Sequence, residues 1–205
     1  YRVSVHGWNS HQSGVASVRD ALPLVGPNVA YFPLETLSPV AFDLLALRDT
    51  FGLRSCFNTV LRMWNPSNAP ATVQGVFHPS YRSLQAQAAA MLGQEQLCII
   101  KGGGGEFERH PSKDITAFGL RDGVHIKQKT RPIADDTRRL HEADAPVDLN
   151  ALWHGKSHDR FAIVTITGTA ALALWTLKAT PTVAEAQDMA RDLWATRHQH
   201  ESLSA

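Results

Sequence analysis

The chain has 205 residues, with 20 Lys+Arg against 19 Asp+Glu, for a formal net charge of +1. It is 43% hydrophobic and 19% charged, which excludes a disordered polyelectrolyte, a collagen-like repeat and a disulfide scaffold. The length allows one sizeable core, or a large domain with a small partner.

Residues 1–5 alternate as a strand that runs straight into Gly7. The pattern opens in mid-strand, so the expectation is that further protein lies upstream of Tyr1. Residues 13–24 carry Val15, Val18, Ala21 and Leu22 at helical spacing, and residues 28–32 read as a short strand ahead of Pro33. The spacing of Val40, Leu44, Leu45, Leu47 and Phe51 predicts a helix over residues 38–51. Ser38 and Pro39 open it and Gly52 stops it. A short helix over residues 54–61 precedes a loop over 64–70 that holds two prolines and two asparagines.

Residues 72–77 are strongly β-forming, residues 83–92 form an alanine-rich helix ending at Gly93, and residues 96–101 read as a buried strand. The glycine run 102–105 follows. Residues 115–118 and 124–129 are short strand candidates, residues 131–155 are polar loops with a short helix, and helices over 161–177 and 182–197 close the chain. This alternation predicts an α/β fold with a mostly parallel sheet flanked by helices.

Several side chains invite a chemical reading that spacing does not support. The ten histidines lack metal-ligand spacing with cysteines or acids, and His198 and His200 fall in the tail. Cys56 and Cys98 stand far apart among apolar neighbours, so they read as small core residues in a reducing, cytoplasmic setting. The best apolar run, residues 161–174, is short and rich in threonine, which argues against a membrane span. Trp64, Trp153, Trp175 and Trp194 read as core, while Trp8 in a glycine-flanked turn reads either way.

The run Ala46-Leu-Arg-Asp-Thr-Phe-Gly-Leu-Arg-Ser-Cys-Phe-Asn58 is followed by Asn65-Pro-Ser-Asn-Ala-Pro70 and Val73-Gln-Gly-Val-Phe-His-Pro79. In order and spacing these segments resemble anthranilate phosphoribosyltransferase, of glycosyltransferase family three. Val5-His6-Gly7 resembles that family's Lys-His-Gly strand end, and Ala170-Ala-Leu with Val183-Ala-Glu-Ala its closing helices. The likeness covers residues 1–205 as the C-terminal α/β domain of such a protein. It implies that a small α-helical domain and a first strand with a glycine-rich phosphate loop lie upstream.

The resemblance implies phosphoribosyl or other pentosyl transfer from phosphoribosyl pyrophosphate with Mg²⁺, to anthranilate or another acceptor, by a homodimer. It makes Arg48 the catalytic candidate, beside the acceptor carboxylate. His6, Gly7, Asn9 and Ser10 become candidates for substrate and phosphate binding, and Glu106 for the metal. From the residues alone, Arg48 equally reads as paired with Asp43 or with a helix-end carbonyl. The 102–105 run reads either as a phosphate cradle or as a tight turn.

The departures fall on the chemistry. The cations that hold pyrophosphate in the enzymes stand here as Val5 and Asn9, and the paired acids of the metal motif are reduced to Glu106, with Glu108 two residues on. Anion binding by backbone N–H groups is strengthened by an adjacent positive charge, and that charge is gone. Mg²⁺ is left with a weakened site. Gly104-Gly105-Glu106 resembles the divergent YbiB-like branch, which is associated with nucleic-acid binding. Charge points the same way: residues 101–139 hold nine Lys+Arg against six Asp+Glu, and residues 48–82 four Arg against one Asp. Arg62, Arg82, Lys127, Lys129, Arg131, Arg138 and Arg139 are the candidate phosphate contacts of a non-specific nucleic-acid face. The expectation is a nucleic-acid-binding paralogue with impaired or altered transferase chemistry, the alternative being an active transferase.

Overall fold

The structure is a computed structural model that describes residues 1–7, 18–53, 55–136, 138, 140 and 147–198. In chain order its elements are β1 (Val3–Gly7), α1 (Val18–Ala21), β2 (Val29–Pro33), α2 (Leu34–Leu37), α3 (Pro39–Phe51) and α4 (Phe57–Val60). They continue with β3 (Ala71–Val76), α5 (Tyr81–Met91), β4 (Gln96–Lys101), β5 (Ile115–Arg121) and β6 (Val124–Thr130). The chain closes with α6 (Leu149–Trp153), α7 (Arg160–Thr176) and α8 (Val183–Ala195). Short 3₁₀ turns sit at Leu22–Leu24, Leu61–Met63 and Gly103–Gly105.

The chain divides into two compact units. The first comprises Tyr1–Ala69 with Ala143–Ser157, the second Pro70–Glu142 with His158–Ala205. In the first, β1 and β2 pair in parallel, His6 lying opposite Phe32. Helix α3 begins where Ser38 Oγ accepts a hydrogen bond from the Ala41 N–H at 3.4 Å and ends where the Gly52 N–H returns to the Arg48 carbonyl at 2.8 Å. The capping residues read from the sequence therefore bound the helix as expected. Leu34, Leu45 and Leu61 form the buried centre, packed against Phe42, Phe57 and Trp64. The Asn-Pro loop is closed by one side chain: Asn65 accepts from the Ala69 N–H at 2.9 Å and donates to the Ala69 carbonyl at 2.8 Å.

In the second unit the sheet order is β3-β4-β5-β6. Strands β3 and β4 are parallel, while β4–β5 and β5–β6 are antiparallel. The two short strand candidates of the sequence are thus the arms of one hairpin added to a parallel pair. Leu97, Cys98, Ile99 and Ile100 of β4 are fully buried, so both faces of this strand are covered. By strand alternation, Cys98 and Ile100 share a face and pack with Ile115, Ala117 and Leu172 of α7. Helix α5 contacts β4 and β5. Helices α7 and α8 meet through Ala171, Leu174, Trp175, Ala186 and Ala190. The fold class is α/β, with a parallel-containing sheet flanked by helices. No helix among the described residues is long and apolar enough to cross a membrane.

Asp159 caps α7 by accepting from the Ala162 N–H at 3.0 Å, and the Arg138 guanidinium grips the same carboxylate at 2.6 and 2.8 Å. That grip, more than the cap, holds the Asp159 pKa down to about 2. A depressed carboxylate stabilises the fold fully above its unfolded pKa, near 3.9, and loses that contribution as pH falls through the folded value. Asp159→Asn keeps a capping oxygen but removes the charge. Its destabilisation relative to the parent chain is expected to be constant at neutral pH and to shrink between about pH 4 and pH 2. Urea unfolding across that range checks this. A gap that does not change with pH would assign the cost to something other than the ion pair.

Candidate functional site

Within the first unit, His6 and Gly7 form the carboxyl end of β1. The His6 ring is half-buried, 6.3 Å from the Trp64 ring at 62°. Burial lowers its pKa, partly opposed by a hydrogen bond to the Trp64 backbone. The Gly7 carbonyl accepts from the Tyr31 hydroxyl at 3.3 Å. Asn9 and Ser10, and with them Trp8, lie outside the described residues. Arg48 occupies the last turn of α3, half-buried, and its guanidinium has no hydrogen-bond or ion-pair partner among the described residues. The pairing with Asp43 that the sequence allowed does not form. Arg62 sits half-buried in the 3₁₀ turn of the same unit.

Within the second unit, the 102–105 glycine run leaves β4 as a 3₁₀ turn with Gly104 and Gly105 at positive φ. The turn folds back against β3. A Cβ at Gly75 would lie 2.1 Å from the Glu106 carbonyl carbon, and one at Gly102 would lie 1.7 Å from the Glu106 oxygen. These two glycines therefore exist to let the Glu106 peptide approach the end of the parallel pair. Gly75→Ala is expected to force that peptide away and cost about 1–3 kcal/mol or more, as overpacking does. A lowered urea midpoint checks this, and an unchanged midpoint would show that the turn yields freely.

The Glu106 side chain is exposed beside that turn. Among the described residues, no group of three His, Cys, Asp or Glu side chains is arranged to hold a metal ion. Mg²⁺ is commonly held by one or two carboxylates together with substrate phosphates. Glu106, the metal candidate read from the sequence, is one carboxylate of the kind that mode uses. Cys98 is buried, its thiol pushed up to about 12 by desolvation, which suits a core residue and not a nucleophile, whereas Cys56, expected in the core, is exposed.

The basic candidates of the second unit sort by what they touch. Arg82 of α5 donates to the Pro79 carbonyl at 3.1 Å and the Thr116 carbonyl at 2.7 Å, and its guanidinium lies 4.6 Å from the Phe118 ring centroid. Lys127 lies opposite Phe118 in the β5–β6 register, with its ammonium 5.6 Å from the same centroid. Lys129 lies opposite Thr116. Alternation on β6 puts His125, Lys127 and Lys129, all exposed, on one face, and exposed Arg131 follows the strand. Ser83, Ala86, Gln87, Phe118, His125, Ile126 and Lys127 line an open groove of about 290 Å³ between α5 and the hairpin.

Two cations counted from the sequence are spent elsewhere. Arg138 is held by Asp159 and Asp136 and lies 4.6 Å from the Phe161 centroid, so it secures the start of α7 and is not part of this strip. Arg109 is 2% exposed, donating to Gln187 at 3.2 Å and to the Arg131 carbonyl at 3.0 Å. Arg139 lies outside the described residues. Sequence reasoning missed Phe118 and His125, although the two-residue alternation around Asp122-Gly123 marks the hairpin that aligns them with the lysines.

No family model matches the chain. Among curated proteins, the anthranilate phosphoribosyltransferase of Delftia acidovorans is 26% identical, over 77% of this chain and 51% of that protein. That of Burkholderia mallei is 23% identical, over 98% of this chain and 65% of that protein. Among solved structures, anthranilate phosphoribosyltransferase from Thermus thermophilus matches with a TM-score of 0.69 at 20% identity, over 94% of this chain and 64% of that one. The chain spans between about half and two thirds of the length of these relatives. In sequence the chain is similar to anthranilate phosphoribosyltransferases, and it shares their fold.

Proposed function

We propose that this chain is the α/β portion of an anthranilate phosphoribosyltransferase-like protein that binds nucleic acid without sequence preference, with impaired or altered transferase chemistry. The observation that carries the reading is the basic strip of the second unit. Lys127 and Lys129 project from one face of β6, Arg82 is fixed beside Phe118, and Arg131 continues the row. Arg82 is bonded only to neutral carbonyls, and the Lys127 and Lys129 ammonium groups have no carboxylate partner among the described residues. Among the described residues these three charges are not neutralised by a carboxylate, so they stay available to an outside anion. Such a row neutralises phosphates and positions a polynucleotide, but carries no base readout.

Phosphoribosyl transfer is the second reading. The glycine turn at the end of β4, an Arg48 guanidinium without a partner among the described residues, and the names of the relatives favour it. It would be served by Mg²⁺ bound mainly through the phosphates of phosphoribosyl pyrophosphate, in a homodimer acting in the cytoplasm.

The test uses the full-length protein with short oligonucleotides at low salt. Binding at micromolar protein, weakened by replacing Lys127 and Lys129 with alanine, supports the first reading. No detectable binding overturns it and leaves the transferase reading standing.

A further inference from the structure

Phe77, His78 and Tyr81, at the turn between β3 and α5, form a surface ring cluster that the basic strip alone does not explain. The Phe77 and His78 rings are 4.8 Å apart at 85°, and His78 and Tyr81 are 6.2 Å apart at 37°. Phe77 is 51% exposed and Tyr81 37% exposed, so large ring faces are left in water where burial would be favourable. The cluster leads into the cations along α5. Tyr81 precedes Arg82, whose guanidinium lies against Phe118 and bonds the Thr116 carbonyl, opposite Lys127 and Lys129.

We infer that this ring cluster is a base-stacking platform, and that the strip beside it takes single-stranded nucleic acid in preference to duplex. The inference rests on the nucleic-acid reading above and names the ligand class of that site. Exposed ring faces near a row of cations without a carboxylate partner among the described residues match a polymer that offers flat π-faces and phosphates together. A duplex hides its base faces inside the stack and presents only phosphates and groove edges, so it would use the cations and leave the rings uncovered. A single strand uses both. Alternate β6 residues stand about 6.5–7 Å apart, so Lys127 and Lys129 meet separate phosphates of an extended strand while bases turn toward the rings. Stacking is indifferent to base identity because every base has a π-face, which agrees with binding that has no sequence preference.

The test measures fluorescence anisotropy of a labelled 12-nucleotide strand and of the same sequence as duplex, with the full-length protein at low salt. Phe77→Ala and Tyr81→Ala are each expected to weaken single-strand binding by about 5- to 100-fold, and to leave duplex binding within about twofold. Tyr81→Phe keeps a ring and should stay near the parent. Both alanine variants remove exposed side chains, and unchanged far-UV circular dichroism confirms that they fold. A strand carrying 2-aminopurine should lose fluorescence on binding the parent chain and regain it with Phe77→Ala. If the alanine variants weaken both ligands equally, or neither, the platform falls while the nucleic-acid reading stands. If the parent chain binds neither ligand, both fall together. Parent binding that favours duplex also overturns the platform.

Discussion

With Mg²⁺, phosphoribosyl pyrophosphate and anthranilate, the full-length protein is expected to turn over at least about 100-fold more slowly than a typical member of the enzyme family, because each lost transition-state contact costs on that order. The pyrophosphate leaving group gathers negative charge as the glycosidic bond opens. The resemblance implies that the enzymes meet that charge with cations at the sequence positions where Val5 and Asn9 stand here. His6 does not replace them. Burial lowers its pKa, which disfavours the charged ring that would be needed. On the same resemblance, the paired acids of the metal motif are reduced to Glu106, beside the glycine turn. The measured quantity is kcat/KM for anthranilate, followed by the loss of its fluorescence. Robust turnover would show that other groups supply the missing charge, and would favour the transferase reading.

How much of this was legible in the sequence depended on whether the signal was local. Helix α3 was readable because Ser38, Pro39 and Gly52 are chemical punctuation, acting over three or four residues. The β5–β6 hairpin was legible in principle and was read only as two separate strands. Asp122 and Gly123 take φ of 53° and 73°, the left-handed pair that an Asp-Gly hairpin turn uses. Recognising it would have set Lys127 opposite Phe118. The engagement of Arg138 by Asp159 and the burial of Arg109 were not legible. Both depend on where α7 and α8 pack, which no local pattern encodes, and both subtract charge from a face that counting residues had enlarged. The purpose of Gly75 was equally hidden, since the peptide it admits belongs to Glu106, more than thirty positions away.

The salt dependence of nucleic-acid binding distinguishes a strip of real phosphate contacts from a merely solvated edge strand. Edge strands commonly carry lysines to prevent sheet-to-sheet pairing, and β6 is an edge strand, so charge alone does not identify a ligand site. Phosphate neutralisation does, because each contact releases counterions and leaves a slope. If Arg82, Lys127, Lys129 and Arg131 all engage phosphates, log affinity should fall with log salt at a slope of about 3 on single strands and nearer 4 on duplex. A homodimer presenting two strips to one polynucleotide would double those values. Replacing Lys127 and Lys129 together by alanine removes two contacts and should reduce the slope by about 1.4 to 1.8, depending on the ligand. Sequence preference should stay flat, because none of the four side chains is asked to read a base edge. Arg138→Ala makes the internal contrast: its guanidinium is committed to Asp159, so it should lower stability and leave the slope unchanged. A slope near zero, or one that the double replacement does not alter, would reduce the lysines of β6 to guards of an exposed sheet edge.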